Sequence, residues 1–209
     1  MPKIEPFNKY ADKYEEWFEK NKFVYLSELR AIKQLIPKKG RGLEISVGSG
    51  RFAEPLGIEE GIDPSQEMRE IAQIRGIKVY EGVAENLPFK NESFDYLLMI
   101  TTICFVDDIN ASFKEAYRVL KPKGLFIIGF VDKKSPLGER YLQYKEENVF
   151  YKQATFYSCE EVIALLKEYN FSNLEVVQTV FGRLEKIKET QNFKPGYGKG
   201  GFVVIKAEK

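Results

Sequence analysis

Histidine is absent from all 209 residues, and that absence removes whole chemistries. Without an imidazole there is no Ser-His-Asp or Cys-His nucleophile pair, no His-ligated zinc site and no imidazole general base. Proton transfer has to run through Asp, Glu, Tyr, Lys or Cys, or be little needed. Cysteine is scarce: Cys104 and Cys159 match neither a CxxC motif nor a metal-ligand spacing, and read as small buried hydrophobes in a reducing compartment. A charge excess is missing too. The 32 Lys and Arg against 31 Asp and Glu leave +1, which draws the chain neither to nucleic acid nor to an acidic membrane. The longest uncharged stretch, Tyr96 to Val106, falls short of the about 18 apolar residues that a membrane span needs. Met1-Pro2-Lys3-Ile4-Glu5-Pro6 is charged with no apolar segment behind it, so cytoplasmic residence without a targeting peptide is expected.

What remains is an ordinary globular composition, 44% hydrophobic and 30% charged. At roughly 150 residues per domain the length favours one domain over two. Residues 1–36 read as two helical pieces, with Phe7, Tyr10, Tyr14, Trp17 and Phe18 on one face and Phe23, Leu26, Leu29, Ile32 and Ile36 on the next. Leu43 to Val47 is a strand entering the turn Gly48-Ser49-Gly50. Arg51 to Leu56 is a short helix, Ile58 to Ile62 a second strand, and Pro64 suits the first position of a helix facing inward with Met68, Ile71 and Ala72. Strands follow at Ile77–Tyr80, Phe94–Ile100 and Leu125–Val131, with a helix from Ile109 to Leu120 before the last of these. Ser158-Cys159-Glu160-Glu161 forms a capping box that opens a helix. Two final strands, Leu174–Phe181 and Phe202–Ala207, have no helix between them and should pair antiparallel. Seven strands alternating with helices define an α/β protein whose sheet is parallel except for its last strand.

The chemistry concentrates after the first strand. Glycines there let the chain turn sharply and let a ligand lie on bare backbone, although glycine turns join strands to helices in many folds. Glu44 lies inside the first strand, four residues before Gly48, and Asp63 ends the second, where a carboxylate can accept both hydroxyls of a ribose. An NAD site shares the glycines and the second acid but does not usually want Glu44 near a pyrophosphate. Glu44 suits a ligand that carries positive charge.

With these residues the chain resembles the class I S-adenosylmethionine (SAM)-dependent methyltransferases of the small-molecule branch, most closely over residues 40 to 135. The first strand and loop of that family read E/D-x-G-x-G-x-G, matched by Glu44, Ser46, Gly48 and Gly50, with Ser46 departing from glycine. Asp63 and Pro64 match the ribose-holding acid and its neighbour. Val83 to Phe89 resembles the segment framing the adenine, with Ala84 and Glu85 at its edge, and Thr101, Thr102 and Ile103 would line the methionine end. Glu115 to Gly124 resembles the family's helix-to-strand signature. The N-terminal aromatic segment resembles a lid in which Tyr10 or Tyr14 reaches the cofactor.

The resemblance implies a Rossmann-like, doubly wound fold in a single domain over 1–209, with a helical lid (1–36), a cofactor-binding core (40–131) and a substrate-facing segment with a C-terminal hairpin (132–209). It implies transfer of the SAM methyl group to an N, O or C nucleophile of a small molecule such as an amine, phenol or quinone precursor. S-adenosylhomocysteine (SAH) would be the product, and the chain a monomer or homodimer with no nucleic acid, membrane or metal partner. The Asn/Asp-Pro-Pro-Tyr/Phe motif of base and glutamine methylation is missing, the position reading Thr101-Thr102-Ile103-Cys104-Phe105. Tyr141, Tyr144, Phe150, Tyr151, Phe156 and Tyr157 can wall the acceptor pocket or simply pack. No catalytic base stands out beyond Tyr10 and Tyr14. Two other readings remain: a SAM-binding regulator without turnover, and an NAD-dependent oxidoreductase, which expects a helix rather than a hairpin before the last strand.

Overall fold

Phe94 to Ile100 is, but for Asp95, apolar on both sides of its strand, and a strand of that kind belongs in the middle of a sheet covered on both faces. The computed structural model, which describes residues 4–209, places it there. Residues 1–3, part of the charged N-terminal segment and of the expected lid, lie outside the described residues. The strands are β1 (Gly42–Ile45), β2 (Glu60–Asp63), β3 (Lys78–Glu81), β4 (Phe94–Ile100), β5 (Leu120–Val131), β6 (Ser172–Thr179), β7 (Lys194–Pro195) and β8 (Phe202–Glu208). They form one sheet in the order β3-β2-β1-β4-β5-β8-β6-β7. β1 to β5 pair parallel, whereas β8 lies antiparallel between β5 and β6.

Among the described residues eight α-helices surround the sheet: α1 (Glu5–Lys9), α2 (Ala11–Lys20), α3 (Lys22–Leu35), α4 (Ala53–Leu56), α5 (Gln66–Ile74), α6 (Ile109–Val119), α7 (Pro136–Gln143) and α8 (Cys159–Glu168). Successive strand residues point to opposite faces, and the two halves of the core divide accordingly. Leu97 and Met99 of β4 pack with Phe113 and Ala116 of α6 and with Val162 and Leu166 of α8. Leu98 and Ile100 pack on the other side with Phe18, Val24 and Ile32 of α2 and α3 and Ala72 of α5. The sheet is doubly wound, as expected. Among the described residues no helix is long and apolar enough to cross a membrane.

Several boundaries differ from the sequence reading. The sheet has eight strands rather than seven because residues 194–195 pair with Val177 and Gln178 at its edge. A two-residue strand containing proline carries no periodicity and can sit only at an edge, so it reads as loop. The hairpin before β8 is present, where a nicotinamide enzyme was expected to have a helix. The N-terminal segment forms three helices instead of two, broken at Tyr10 (φ −125°, ψ 33°) and Asn21 (φ −111°, ψ 34°). Pro64 precedes its helix: Ser65 is the N-cap, its hydroxyl accepting from the Met68 N–H, and α5 begins at Gln66. The predicted capping box at Ser158 and Glu161 is present.

Ser46 stands at φ +54°, a backbone region that costs a side-chain-bearing residue roughly 1–2 kcal/mol. Ser46→Gly removes that cost. Its melting temperature, read by thermal denaturation, is expected to rise by about 2–4 °C per kcal/mol gained for a chain of this size. An unchanged or lower value would show that the serine hydroxyl compensates.

Candidate active site

The strand order reverses between β1 and β4, and in open α/β sheets ligands bind outside the carboxyl ends of the strands at such a point. A cavity of about 620 Å³ lies there. Its floor comes from the loops that leave four adjacent strands: Ser46 and Gly48 after β1, Asp63 to Ser65 after β2, Val83 to Glu85 after β3, and Thr101 and Thr102 after β4. Its roof is aromatic. Phe7 meets Phe105 edge-on at 5.1 Å and Phe150 at 5.4 Å, so α1 and the segment beyond α7 close over the loop after β4. Tyr14, Trp17 and Phe18 of α2 continue this cover.

Asp63 organises the floor. Oδ2 accepts the Gly48 N–H at 2.8 Å and Oδ1 the Ser65 N–H at 2.8 Å, which ties the loop after β1 to the end of β2. Burial pushes its carboxyl up to about 6, against the pull of those two N–H groups and of the Arg69 charge. Each oxygen retains lone-pair capacity beyond these bonds.

The helical cover is fastened by charge. Glu15 Oε2 accepts from Arg51 Nε at 2.9 Å and from Arg75 Nη2 at 2.7 Å, while Arg75 also donates to the Ser49 carbonyl at 2.5 Å. These bonds set α2 directly above the glycine loop, and a Cβ on Gly48 would stand 3.3 Å from the Tyr14 hydroxyl. Burial, with the carboxylates of Glu44 and Asp63 beside it, pushes the Tyr14 phenol far above its usual range. Tyr14 therefore stays protonated, a donor rather than a base.

Of the residues expected in the site, Tyr14, Ser46, Gly48, Asp63, Pro64, Ala84, Glu85 and Thr101 line this one cavity. Glu85 Oε1 also accepts from the Asp107 and Asp108 N–H groups at 2.7 and 3.2 Å, holding the loop before α6. Four, Tyr10, Gly50, Glu44 and Ile103, do not reach the cavity. Tyr10 turns outward between two ammonium groups, 5.4 Å from Lys9 and 4.9 Å from Lys13, because the chain bends at that residue. Gly50, at φ +83°, is needed for packing, since a Cβ there would meet the Ile77 side chain at 2.4 Å. Glu44 lies beneath the loop, 2% exposed, with Oε2 unpartnered among the described residues, and burial raises its carboxyl well above the usual range. Ile103 turns into the core. Of the aromatic residues beyond β5, Tyr141, Phe150 and Tyr151 line the cavity, whereas Tyr144 is exposed and Phe156 and Tyr157 lie outside it.

Sequence reasoning missed Glu28. It lies on the buried face of α3 with Val24, Ala31 and Ile32, 4% exposed, and it lines the cavity. The signal was a carboxylate in register with an apolar helical stripe. Burial pushes its carboxyl up to about 8 from 4.5. The folded chain thus binds more protons than the unfolded chain between those values. Stability is full below pH 4.5 and falls as pH rises to about 8, by at most about 1.4 kcal/mol per pH unit from this group. In ligand-free melts, Glu28→Gln should gain on the wild type steadily from pH 5 to 8. A gap that does not vary with pH would show that Glu28 does not titrate there.

Among the described residues no group of three or more His, Cys, Asp or Glu is placed to hold a metal ion. Residues 43–128 match the family described as "Methyltransferase domain". An uncharacterized protein of Methanocaldococcus jannaschii is 49% identical over 203 residues, covering 97% of this chain and 98% of its own. A crystal structure from Thermotoga maritima, of a SAM-dependent methyltransferase and possible histamine N-methyltransferase, superposes with a TM-score of 0.95 at 51% identity and covers 98% of each chain. The demethylmenaquinone methyltransferase of Staphylococcus aureus is similar at 28% identity over 181 residues, 70% of this chain and 74% of that one.

Proposed function

This chain belongs to the SAM-dependent methyltransferases, and on that premise we propose that its methyl acceptor is a small molecule carrying an N, O or C nucleophile. The observation that supports a small acceptor is the aromatic roof. With Phe7 packed on Phe105 and Phe150, the cavity is covered by rings, and among the described residues Lys13 and Arg140 are the only basic groups in its lining, short of the row of cations that a nucleic acid backbone requires. The relatives leave the choice of nucleophile open, one being described as a possible amine methylase and another acting on a demethylmenaquinone.

The cavity's own groups suit the cofactor. Asp63, already holding the Gly48 and Ser65 N–H groups, keeps oxygen lone pairs for the two ribose hydroxyls. Ala84 and Glu85 lie where an adenine edge would rest, and the bare backbone at Gly48 with Ser46, Pro64 and Thr101 would face the ribose and methionine portion. Glu44, carrying an unpartnered buried oxygen beneath the loop, would favour the cationic portion through its field when ionised. In this reading residues 1–36 act as lid, 40–131 as cofactor core and 132–209 as the acceptor-facing part of one domain.

When bound, SAM supplies a methyl group activated by a sulfonium. The chain's task is then to hold the acceptor in line and keep water out, which positioning and a dry aromatic roof accomplish without imidazole. Tyr14, held protonated above Gly48, keeps its hydroxyl proton and has a hydrogen bond to offer a ligand. A screen with methyl-labelled SAM against amines, phenols, quinols, carboxylates, proteins and RNA tests the proposal. Label should enter a small molecule and SAH should form in equal amount. Label entering only protein or RNA would refute it.

A further inference from the structure

Glu28 is a buried carboxyl that binding of the cofactor does not use. Among the described residues no group donates a hydrogen bond to it and no cation pairs with it, and burial alone accounts for its raised affinity for a proton. The titratable groups that sense its charge are Tyr14 from α2, Tyr141 from α7 and Tyr151 from the turn 151–153, and Arg140 and Glu185 line the same cavity. Arg140 is already committed, bonded to Glu185 at 2.7 Å. Lys13, at the lid, lies over the Tyr10 ring. Glu28 and Asp63 line the same cavity, and the Tyr14 phenol senses the charge of both.

We propose that Glu28 binds the methyl acceptor, and that the acceptor is a primary or secondary amine captured as its ammonium ion. The proposal rests on the reading of the cavity as a SAM and acceptor site. An unpaired carboxylate in a dry pocket is costly unless a ligand brings the opposite charge. An amine does so; a phenol or quinol brings none. The rings of Tyr14, Trp17 and Tyr141, which line the same space, attract a cation through their faces.

The same environment prepares the nucleophile. Burial raises the proton affinity of a carboxylate and lowers that of an amine, so the N–H proton passes from the ammonium to a Glu28 oxygen and leaves nitrogen its lone pair. Nitrogen then bonds to the methyl carbon while the carbon–sulfur bond breaks, its electron pair remaining on sulfur. The products are the N-methylated ammonium ion and SAH. Glu28 keeps that proton, which restores the protonated carboxyl of the free chain, so the single proton lost when the ammonium ion binds is the one released per methyl group transferred. Glu28 thus replaces the missing histidine.

Titration calorimetry on the chain saturated with SAH separates this assignment from the broader one. Benzylamine, 2-phenylethylamine and hexylamine serve as probes, each beside the alcohol of the same shape. At least one amine is expected to bind tenfold or more tighter than its alcohol. Its binding at pH 7, measured in two buffers of different ionisation enthalpy, should release close to one proton. Glu28→Gln, nearly equal in size, should bind SAH as the wild type does yet lose the preference for the amine. With any amine that turns over, kcat/KM of the wild type is expected to rise with pH up to about 8, and that rise should be absent from the variant. Amines binding no better than alcohols, no proton release, or a preference unchanged in Glu28→Gln would overturn the assignment of Glu28 while leaving SAH binding intact. Failure of the wild type to bind SAH would refute the broader reading instead.

Discussion

Asp63→Ala is expected to weaken SAH binding by on the order of 100-fold or more, measured by titration calorimetry. Two hydroxyl-to-carboxylate hydrogen bonds would be lost, each worth about 1.5–3 kcal/mol, and 1.4 kcal/mol is about tenfold in affinity. The substitution also strips the buried Gly48 and Ser65 N–H groups of their acceptor, so some stability will be lost with it. Asp63→Asn serves as the companion variant, because its amide oxygen can still accept one of those bonds. It should fold like the wild type by circular dichroism and still bind SAH at least tenfold more weakly. The wild type offers a third view of the same group. With the Asp63 carboxyl ionising near 6, affinity should be constant above that pH and decline below it, as protonation removes an acceptor. Affinity that ignores both the substitutions and the pH would remove Asp63 from the site.

Gly48→Val should abolish SAH binding in the same assay, with a loss on the order of 100-fold or more. At φ +54° a β-branched residue is strained, and its Cβ would project toward the Tyr14 hydroxyl, into the cavity between lid and floor. The strain itself, about 1–2 kcal/mol, lowers the melting temperature without telling anything about a ligand. Gly57→Val is the control. Gly57 has φ +72° with open space where a Cβ would stand, so valine there should cost comparable stability and leave affinity untouched. Equal affinity in both variants would mean that no ligand lies over Gly48.

Burial decides which of these features the sequence reveals. β4 was legible to the residue because a strand covered on both faces must be largely apolar, and Phe94–Ile100 is, with Asp95 alone charged at its start. Ser158 and Glu161 were legible because a capping box is local chemistry. The break at Tyr10 and the two-residue β7 were not, since neither carries a glycine, a distinctive period or a run long enough to count. In the site, the residues on strand ends were legible: Gly48 and Asp63 stand where the topology places every ligand contact of this kind. Gly50 shows the converse. Its glycine is favoured by a backbone at φ +83° and by the tip of the Ile77 side chain beside it, a neighbour distant in sequence that no local pattern predicts. Glu28 was hidden by its own register, a single carboxylate in a stripe that otherwise reads as core. The absence of histidine becomes informative only beside it, because an acceptor that needs to lose a proton has one buried carboxyl at hand on this wall of the cavity.

The most direct measurement is a crystal structure of the chain with SAH bound. The expected complex has both ribose hydroxyls within hydrogen-bond distance of Asp63, the adenine against Ala84 and Glu85, and the homocysteine portion beside Gly48 and Thr101 beneath Tyr14. A ligand seated elsewhere, or one whose ribose points away from Asp63, would contradict the assignment of this cavity.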